Sequence, residues 1–455
     1  MLNSRSIRWI LTAPLVAMTS LPALAQDSER MAEAVQSEAD SGAFMGAVLV
    51  ADDSGALFER AWGSANLEWD VANTTDTKFR IGSVTKQFTS VAIMLLAEEG
   101  KLDIDAPIST YLEDTPEAWA EITVRQLMRH TSGIPNVTAL EGFGEISRLE
   151  TSQDDLIATF RDLPLEFEPG SDWKYSNSGY VLLSRIVERV SEEDLGAFFD
   201  ARFFGPLGMA STGFDNSAEI LPRRAAGYSP SEAGRVNAGY IYMGIPTGAG
   251  ALYSTVGDLH LWNRALFSGE IISEQSLREF LTPAPHEAIG DNKYAHGVIV
   301  TDTEEGRYFW HGGGIQGFNA WLGYDPVNRI SVAVLANLNG GSPASIGQKL
   351  MTLAMGGELT LPSERVAQEV AAEDLSQYEG TYALAPTFKI NVFVEGGKLM
   401  GQATGQGANQ LFSEGNDRFF LTVVDAQIQF NRDDSGAIDS LTLFQGGQEI
   451  PAPRE

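Results

Sequence analysis

The sequence predicts an α/β fold in which one antiparallel sheet is assembled from both ends of a large domain, flanked by helices, interrupted by a helical insertion and followed by a small β-barrel. Three observations carry this. Strand candidates at 44–51 and 56–62 do not recur until 296–301, 307–310, 319–325 and 329–335. The stretch between these sets reads mostly as helix and loop. From Leu375 onward the texture changes to short alternating strands punctuated by Gly, Asn and Asp. A sheet drawn from two distant segments brings them together and leaves the middle as an insertion.

The first element is a targeting signal. Arg5 and Arg8 precede an apolar run that closes in Ala23-Leu24-Ala25, a small-residue pattern suited to signal peptidase. Residues 1–25 are therefore expected to be a cleaved signal peptide, placing the product in a periplasm or outside the cell. Pro14 and Pro22 interrupt a run that is short for a membrane span, so no stable span is expected after processing. The large domain is expected over 26–356. It opens with an acidic helix at 28–39 and a hairpin whose strands are separated by Asp52-Asp53-Ser54-Gly55. A linker at 357–374 contains a Pro and several charges. Strands at 388–394, 398–404, 418–424, 427–432 and 440–445 place the β-barrel at 375–455.

Composition narrows the function. The chain has 455 residues, 43% of them hydrophobic, which is incompatible with general disorder. It carries 31 Lys plus Arg against 61 Asp plus Glu, a formal charge of −30 that argues against nucleic acid as a partner. With no cysteine, disulfides, thiolate nucleophiles and cysteine-ligated metals are excluded. The five histidines show no H-E-x-x-H spacing, and no cofactor is expected.

Three short motifs carry chemistry. Ser83-Val84-Thr85-Lys86 opens a stretch, 87–99, too apolar for a surface helix. A spacing of three puts Ser83 and Lys86 on one face at the start of a buried helix, where burial and the helix dipole both disfavour an ammonium. A second Ser-x-x-Lys, Ser171 to Lys174, follows Pro169-Gly170 in a turn with no helix to align it. Tyr175-Ser176-Asn177 is the only Tyr-x-Asn among twelve tyrosines and precedes an amphipathic helix at 180–190. A neighbouring ammonium would give that phenol phenolate character. His311-Gly312-Gly313-Gly314 is the only His-x-Gly among five histidines, and its glycines permit close backbone approach and an N–H donor for an oxyanion. Reading it as the oxyanion loop of an α/β-hydrolase requires a G-x-S-x-G elbow, which the sequence lacks.

Taken in order, Ser-x-x-Lys, Tyr-x-Asn and His-x-Gly resemble the active site of serine β-lactamases and penicillin-binding DD-peptidases, in the branch nearest class C β-lactamases. Further phrases are similar to that family: 123–135 (TVRQLMRHTSGIP), Phe167 to Gly170, Pro206 to Met209 and Gly248 to Thr255. The resemblance implies Ser83 as nucleophile, with Lys86 and Tyr175 exchanging its proton. It implies Asn177, His311 and Gly313 as substrate-binding residues, and the backbone amides of Ser83 and Gly314 as an oxyanion hole. The implied activity is acyl transfer from a small-molecule or peptide substrate, namely D-amino-acid peptides, amides or esters. A class C-like β-lactamase and an acyl-binding sensor without turnover are the alternatives. His311 stands where Lys is usual in β-lactamases, leaving less fixed charge for a substrate carboxylate; Arg80 or Arg129 are the candidate replacements. The opening of the last domain, Tyr378 to Tyr382, resembles lipocalin-like modules appended to this branch. Oligomeric state is left open.

Overall fold

The computed structural model describes residues 20–231, 234–290, 292–340, 342–385, 387–445 and 448–455, with side chains from Ser28 onward. The charged and apolar parts of the expected signal peptide lie outside these residues. Among the described residues, no helix is long and apolar enough to cross a membrane.

The sheet forms as predicted from both ends of the large domain. Its strands are β1 (Gly46–Asp52), β2 (Gly55–Trp62), β3 (Glu287–Ile289), β4 (Asn292–Tyr294), β5 (Ile299–Asp302), β6 (Arg307–Ile315), β7 (Phe318–Asp325) and β8 (Ile330–Ala336). They lie in the order β3-β4-β5-β6-β7-β8-β1-β2, with antiparallel neighbours throughout. The seam between the two segments is β1 on β8, with Gly46 opposite Ala336 and Ala51 opposite Ser331. Alternation decides which face each side chain takes. Val48, Val50, Val332 and Val334 enter one core, and Ala47, Leu49, Ala333 and Leu335 enter the other. Both faces are covered, so these strands read as unbroken apolar runs.

Helices α1 (Ser20–Asp40) and α5 (Ser342–Ala354) cover the first face through Met31, Val35, Ile346 and Leu350. The opposite face carries α2 (Thr85–Glu98), α3 (Asn177–Ser191) and α4 (Val256–Phe267). Phe88 of α2 stacks on Trp262 of α4 with ring centroids 3.8 Å apart, fixing α2 deep inside the domain. Its apolar run is explained by that position: nearly every residue from Thr85 to Leu96 is buried.

Two expectations need correction. Ser83 is not in the helix itself but on a 3-10 turn, Gly82–Val84, leading into it. The strand expected to end at 310 does not stop before the triple glycine. It continues, as β6, to Ile315, because 312–314 pair in register with Trp321, Ala320 and Asn319 of β7. Strands β3 and β4 were not anticipated, being three-residue edge pieces.

The C-terminal region forms a strand-rich domain of two antiparallel sheets. One contains 380–385, 388–395, 398–403 and 409–410, and the other 412–415, 418–420, 426–432, 438–445 and 448–453. Its own core includes Tyr382, Val392, Ile428 and Leu441. A bridge between Tyr382 and Arg454 ties its first strand to its end. The strand 448–453 escaped the sequence reading because Pro451 and Pro453 argue against a strand; at the end of its sheet they are tolerated.

Candidate active site

The 3-10 turn at Ser83 is pinned by its neighbours' lack of side chains. A Cβ on Gly82, whose φ is +50°, would lie 2.8 Å from the Gly314 amide nitrogen. A Cβ on Gly313 would lie 1.9 Å from the carbonyl oxygen of Ile81 and 3.2 Å from the Ser83 nitrogen. Only glycine allows β6 and this turn to approach so closely. Strand β5 pairs with β6 only as far as Trp310, so β6 is left uncovered by β5 where it meets Ser83. The amides of Ser83 and Gly314 are thereby gathered at one spot.

Lys86 is fully buried one turn along. Its Nζ lies 3.1 Å from Ser83 Oγ, 2.8 Å from Asn177 Oδ1 and 2.8 Å from the carbonyl oxygen of Ala249. All three partners are neutral, and burial holds the amine well below the ordinary lysine range. A neutral amine has two protons and one lone pair. Asn177 Oδ1 and Ala249 O can only accept, so they take both protons and leave the lone pair to the Ser83 hydroxyl. The Asn177 amide is oriented for this by its own donors: Nδ2 reaches Asn136 Oδ1 and Thr138 Oγ1, each at 3.2 Å. The Ala249 carbonyl is presented by a turn clamped between two helices. Thr89 Oγ1 donates to Gly248 O at 2.7 Å, and Gly248 N donates to Ser184 Oγ at 3.0 Å. A Cβ on Gly248 would sit 2.4 Å from Ser184 Oγ, so glycine is required there.

Tyr175 packs beside the amine, its ring centroid 4.9 Å from Lys86 Nζ. Burial pushes its phenol well up, against a smaller opposing effect from the Ser83 hydroxyl. The expected phenolate character is therefore not supported: desolvation of the buried phenol dominates. Behind the phenol stands His130, whose ring centroid is 4.3 Å away and whose Nδ1 accepts from Ser176 N at 3.2 Å. Its backbone adopts φ +59°, and its carbonyl accepts from Lys174 N at 3.0 Å, so one residue grips both sides of the Tyr175 segment.

His311 lies inside the wall and not on the cleft surface. It is 3% exposed, its Nδ1 lies 2.6 Å from the Gly312 carbonyl oxygen and its Nε2 lies 2.9 Å from Tyr294 Oη. The carbonyl can only accept, so the proton is on Nδ1 and Tyr294 donates to Nε2. Burial pushes this imidazole down to about 3. Neither arginine proposed as a replacement cation is free. Arg80 is bound to Asp215 at 2.5 Å, and Arg129 to Glu279 at 3.2 Å and to Thr282 O at 3.0 Å. The second Ser-x-x-Lys is scattered: Ser171 Oγ donates to Glu168 O and Lys174 pairs with Glu166.

The structure thus gathers Ser83, Lys86, Tyr175, Asn177, Gly313 and Gly314, with His311 behind them. Sequence reasoning assigned no role to His130, Asn136, Ala249 or Tyr294. His130 and Ala249 fall within the family-like phrases 123–135 and 248–255, which was the available signal. Tyr294 and Asn136 had none. In front of Ser83 the site opens into a cleft of about 430 Å³, walled by Val137, Phe143, Val181, Ile241, Ile245 and Ile315.

This fold and site define a serine hydrolase, and the chain belongs to the beta-lactamase family, whose model matches residues 31–354. Residues 364–452 match a second family, a domain of unknown function (DUF3471). Among curated proteins the chain is similar to penicillin-binding protein 4* of Bacillus subtilis, 27% identical over 432 residues that cover 90% of this chain and 95% of the relative. Among solved structures it is similar to an octameric penicillin-binding protein homologue from Pyrococcus abyssi. That match has a TM-score of 0.67 and 25% identity, covering 95% of this chain and all (100%) of the other. A D-stereospecific amidohydrolase from Streptomyces matches with a TM-score of 0.59 at 25% identity, over 71% of this chain and 97% of its own.

Proposed function

We propose that this protein is an exported serine hydrolase that works through an acyl-enzyme on D-amino-acid peptides, amides or esters. The observation that carries the reading is the setting of Lys86: its buried Nζ lies 3.1 Å from Ser83 Oγ and 2.8 Å from each of two neutral oxygens, with no counter-charge among its partners, and burial holds the amine well below the ordinary lysine range. The similarity to penicillin-binding proteins and to a D-stereospecific amidohydrolase supports the substrate class. The basic, apolar, small-residue start of the chain supports export.

Lys86 takes the Ser83 proton as Oγ attacks the substrate carbonyl carbon. The tetrahedral oxyanion is held by the Ser83 and Gly314 amides, an interaction worth about 2.7–4 kcal/mol per donor. The carbon–nitrogen or carbon–oxygen bond then breaks. The proton held on Lys86 reaches the leaving atom through the Tyr175 hydroxyl, which gives one proton and receives another without passing through a free phenolate. Water attacks the resulting Ser83 ester, loses a proton to the same pair, and the acid product leaves with Ser83 restored. Burial lowers the Lys86 amine and raises the Tyr175 phenol, so the amine is ready to accept the Ser83 proton and the phenol keeps its own until the transfer.

A fluorophosphonate probe tests the reading. Wild-type protein takes up one label per chain and Ser83→Ala none, by intact mass. Equal labelling of both proteins overturns it.

A further inference from the structure

The cleft in front of Ser83 has a composition that the proposed chemistry does not require. Among the described residues, none of the side chains lining it carries a charge. Lys86, His311, Arg80 and Arg129 are all committed elsewhere: Lys86 to three oxygens, His311 to Tyr294 and a backbone carbonyl, Arg80 to Asp215 and Arg129 to Glu279. Its polar side chains are mostly spent too. Asn177 serves Lys86, Thr138 lies against Asn136 and Asn177, and Asn339 binds Ile315 O at 2.9 Å and Gly317 N at 2.7 Å. Gln316 is different. It follows Ile315 at the end of the oxyanion strand, lines the cleft, and makes no hydrogen bond within the described residues. A carboxamide there offers one acceptor and two donors but no charge.

We infer that the cleft selects acyl compounds that are uncharged on both sides of the scissile bond: an apolar acyl side chain against Val137, Phe143 and Ile241, and a neutral amide or ester leaving group met by Gln316. This rests on the hydrolase reading and narrows it. A free carboxylate next to the scissile bond, as in a peptide ending in an unblocked D-amino acid or in a penicillin, would be desolvated without a counter-charge. An apolar acyl chain gains burial instead, since a cleft of about 430 Å³ is within the range of small-molecule sites.

The test uses the full-length protein and a matched chromogenic pair. N-acetyl-D-leucine is joined to p-nitroaniline in one substrate and to 5-amino-2-nitrobenzoate, which adds only a carboxylate, in the other. The neutral anilide is expected to have kcat/KM about tenfold or more above its carboxylated partner. Extending the acyl side chain from alanine to leucine should raise kcat/KM by about fourfold per buried methylene. Gln316→Arg supplies the missing cation and is expected to move the ratio at least about tenfold toward the carboxylated substrate. Equal or better turnover of the carboxylated anilide by wild type overturns the inference and leaves the hydrolase reading intact. No turnover of either anilide, with no probe label on Ser83, overturns both.

Discussion

Two lysines in this molecule, one buried and one half-buried, have opposite surroundings. Lys86 sits at the heart of the catalytic domain among oxygens of a hydroxyl, an amide and a carbonyl, none of them charged. Lys349, on α5 where the catalytic domain meets the C-terminal domain, pairs with Glu38 of α1 at 3.3 Å and with Asp425. Arg365 reaches the same Asp425 at 2.6 Å, and Glu38 also accepts from Ser345 Oγ at 3.1 Å. Burial without counter-charge favours the neutral amine and makes a base. A half-buried lysine between two carboxylates makes a tie between the two regions. The same residue type thus becomes reactive or structural according to whether the fold supplies an anion, and sequence spacing alone says nothing about that.

The strongest way to break this comparison is at the proposed nucleophile. Ser83→Ala is expected to lower kcat/KM by about 10⁴-fold or more while leaving the thermal midpoint nearly unchanged, read by ester hydrolysis and calorimetry. Exchanging the lysines one at a time sharpens it. Lys86→Met should lower kcat by about 10³-fold, whereas Lys349→Met should keep kcat near wild type and lower the melting temperature. If Lys349→Met were as inactive as Lys86→Met, the division into reactive and structural lysines would be wrong.

At the domain junction, Asp425→Ala leaves Lys349 and Arg365 without their shared partner. The cluster is only partly shielded from water, so unfolding in urea should show a loss of up to about 3 kcal/mol, with activity per folded molecule preserved.

Acidification probes the neutral cluster. His311 falls from 6.5 to about 3 on folding, so between these values the unfolded chain binds a proton that the folded chain refuses. Stability must therefore fall as pH drops through that window. Lys86, lowered well below 10.5, acts in the same direction, and kcat/KM should rise with pH as it gives up its proton. His311→Asn should show a shallower loss of stability between pH 6.5 and 3 than wild type, in urea titrations at fixed pH steps. The smallest effect is expected from Tyr294→Phe, which leaves His311 Nε2 without a donor: about 1–2 kcal/mol of stability and a few-fold change in kcat.

Much of the site was legible in the sequence because its chemistry is local. Ser83 and Lys86 are three residues apart, Tyr175 and Asn177 two, and the glycines that shape the oxyanion wall are consecutive. What escaped were the partners that set protonation. Ala249 contributes only a backbone carbonyl, which any residue carries, and Tyr294 meets His311 across β4 to β6, a pairing that depends on sheet order. The phenolate expected at Tyr175 failed for a related reason: it presumed an ammonium, and only three-dimensional burial shows that desolvation of the phenol dominates. The strand was expected to end before the glycine run at 312–314 because glycine is a poor strand former in isolation. Strand β7 supplies the ladder that holds it extended.

By itself the sequence determined the split sheet, the helical insertion, the strand-rich tail and the set of candidate reactive groups, since these follow from hydrophobic period and from residues close along the chain. Only the tertiary structure decided that Lys86 is buried with no counter-charge, that His311 faces inward and that the residues lining the cleft in front of Ser83 carry no charge. Those properties depend on desolvation and on which distant atoms come within hydrogen-bond reach, quantities that exist only once the chain has closed on itself.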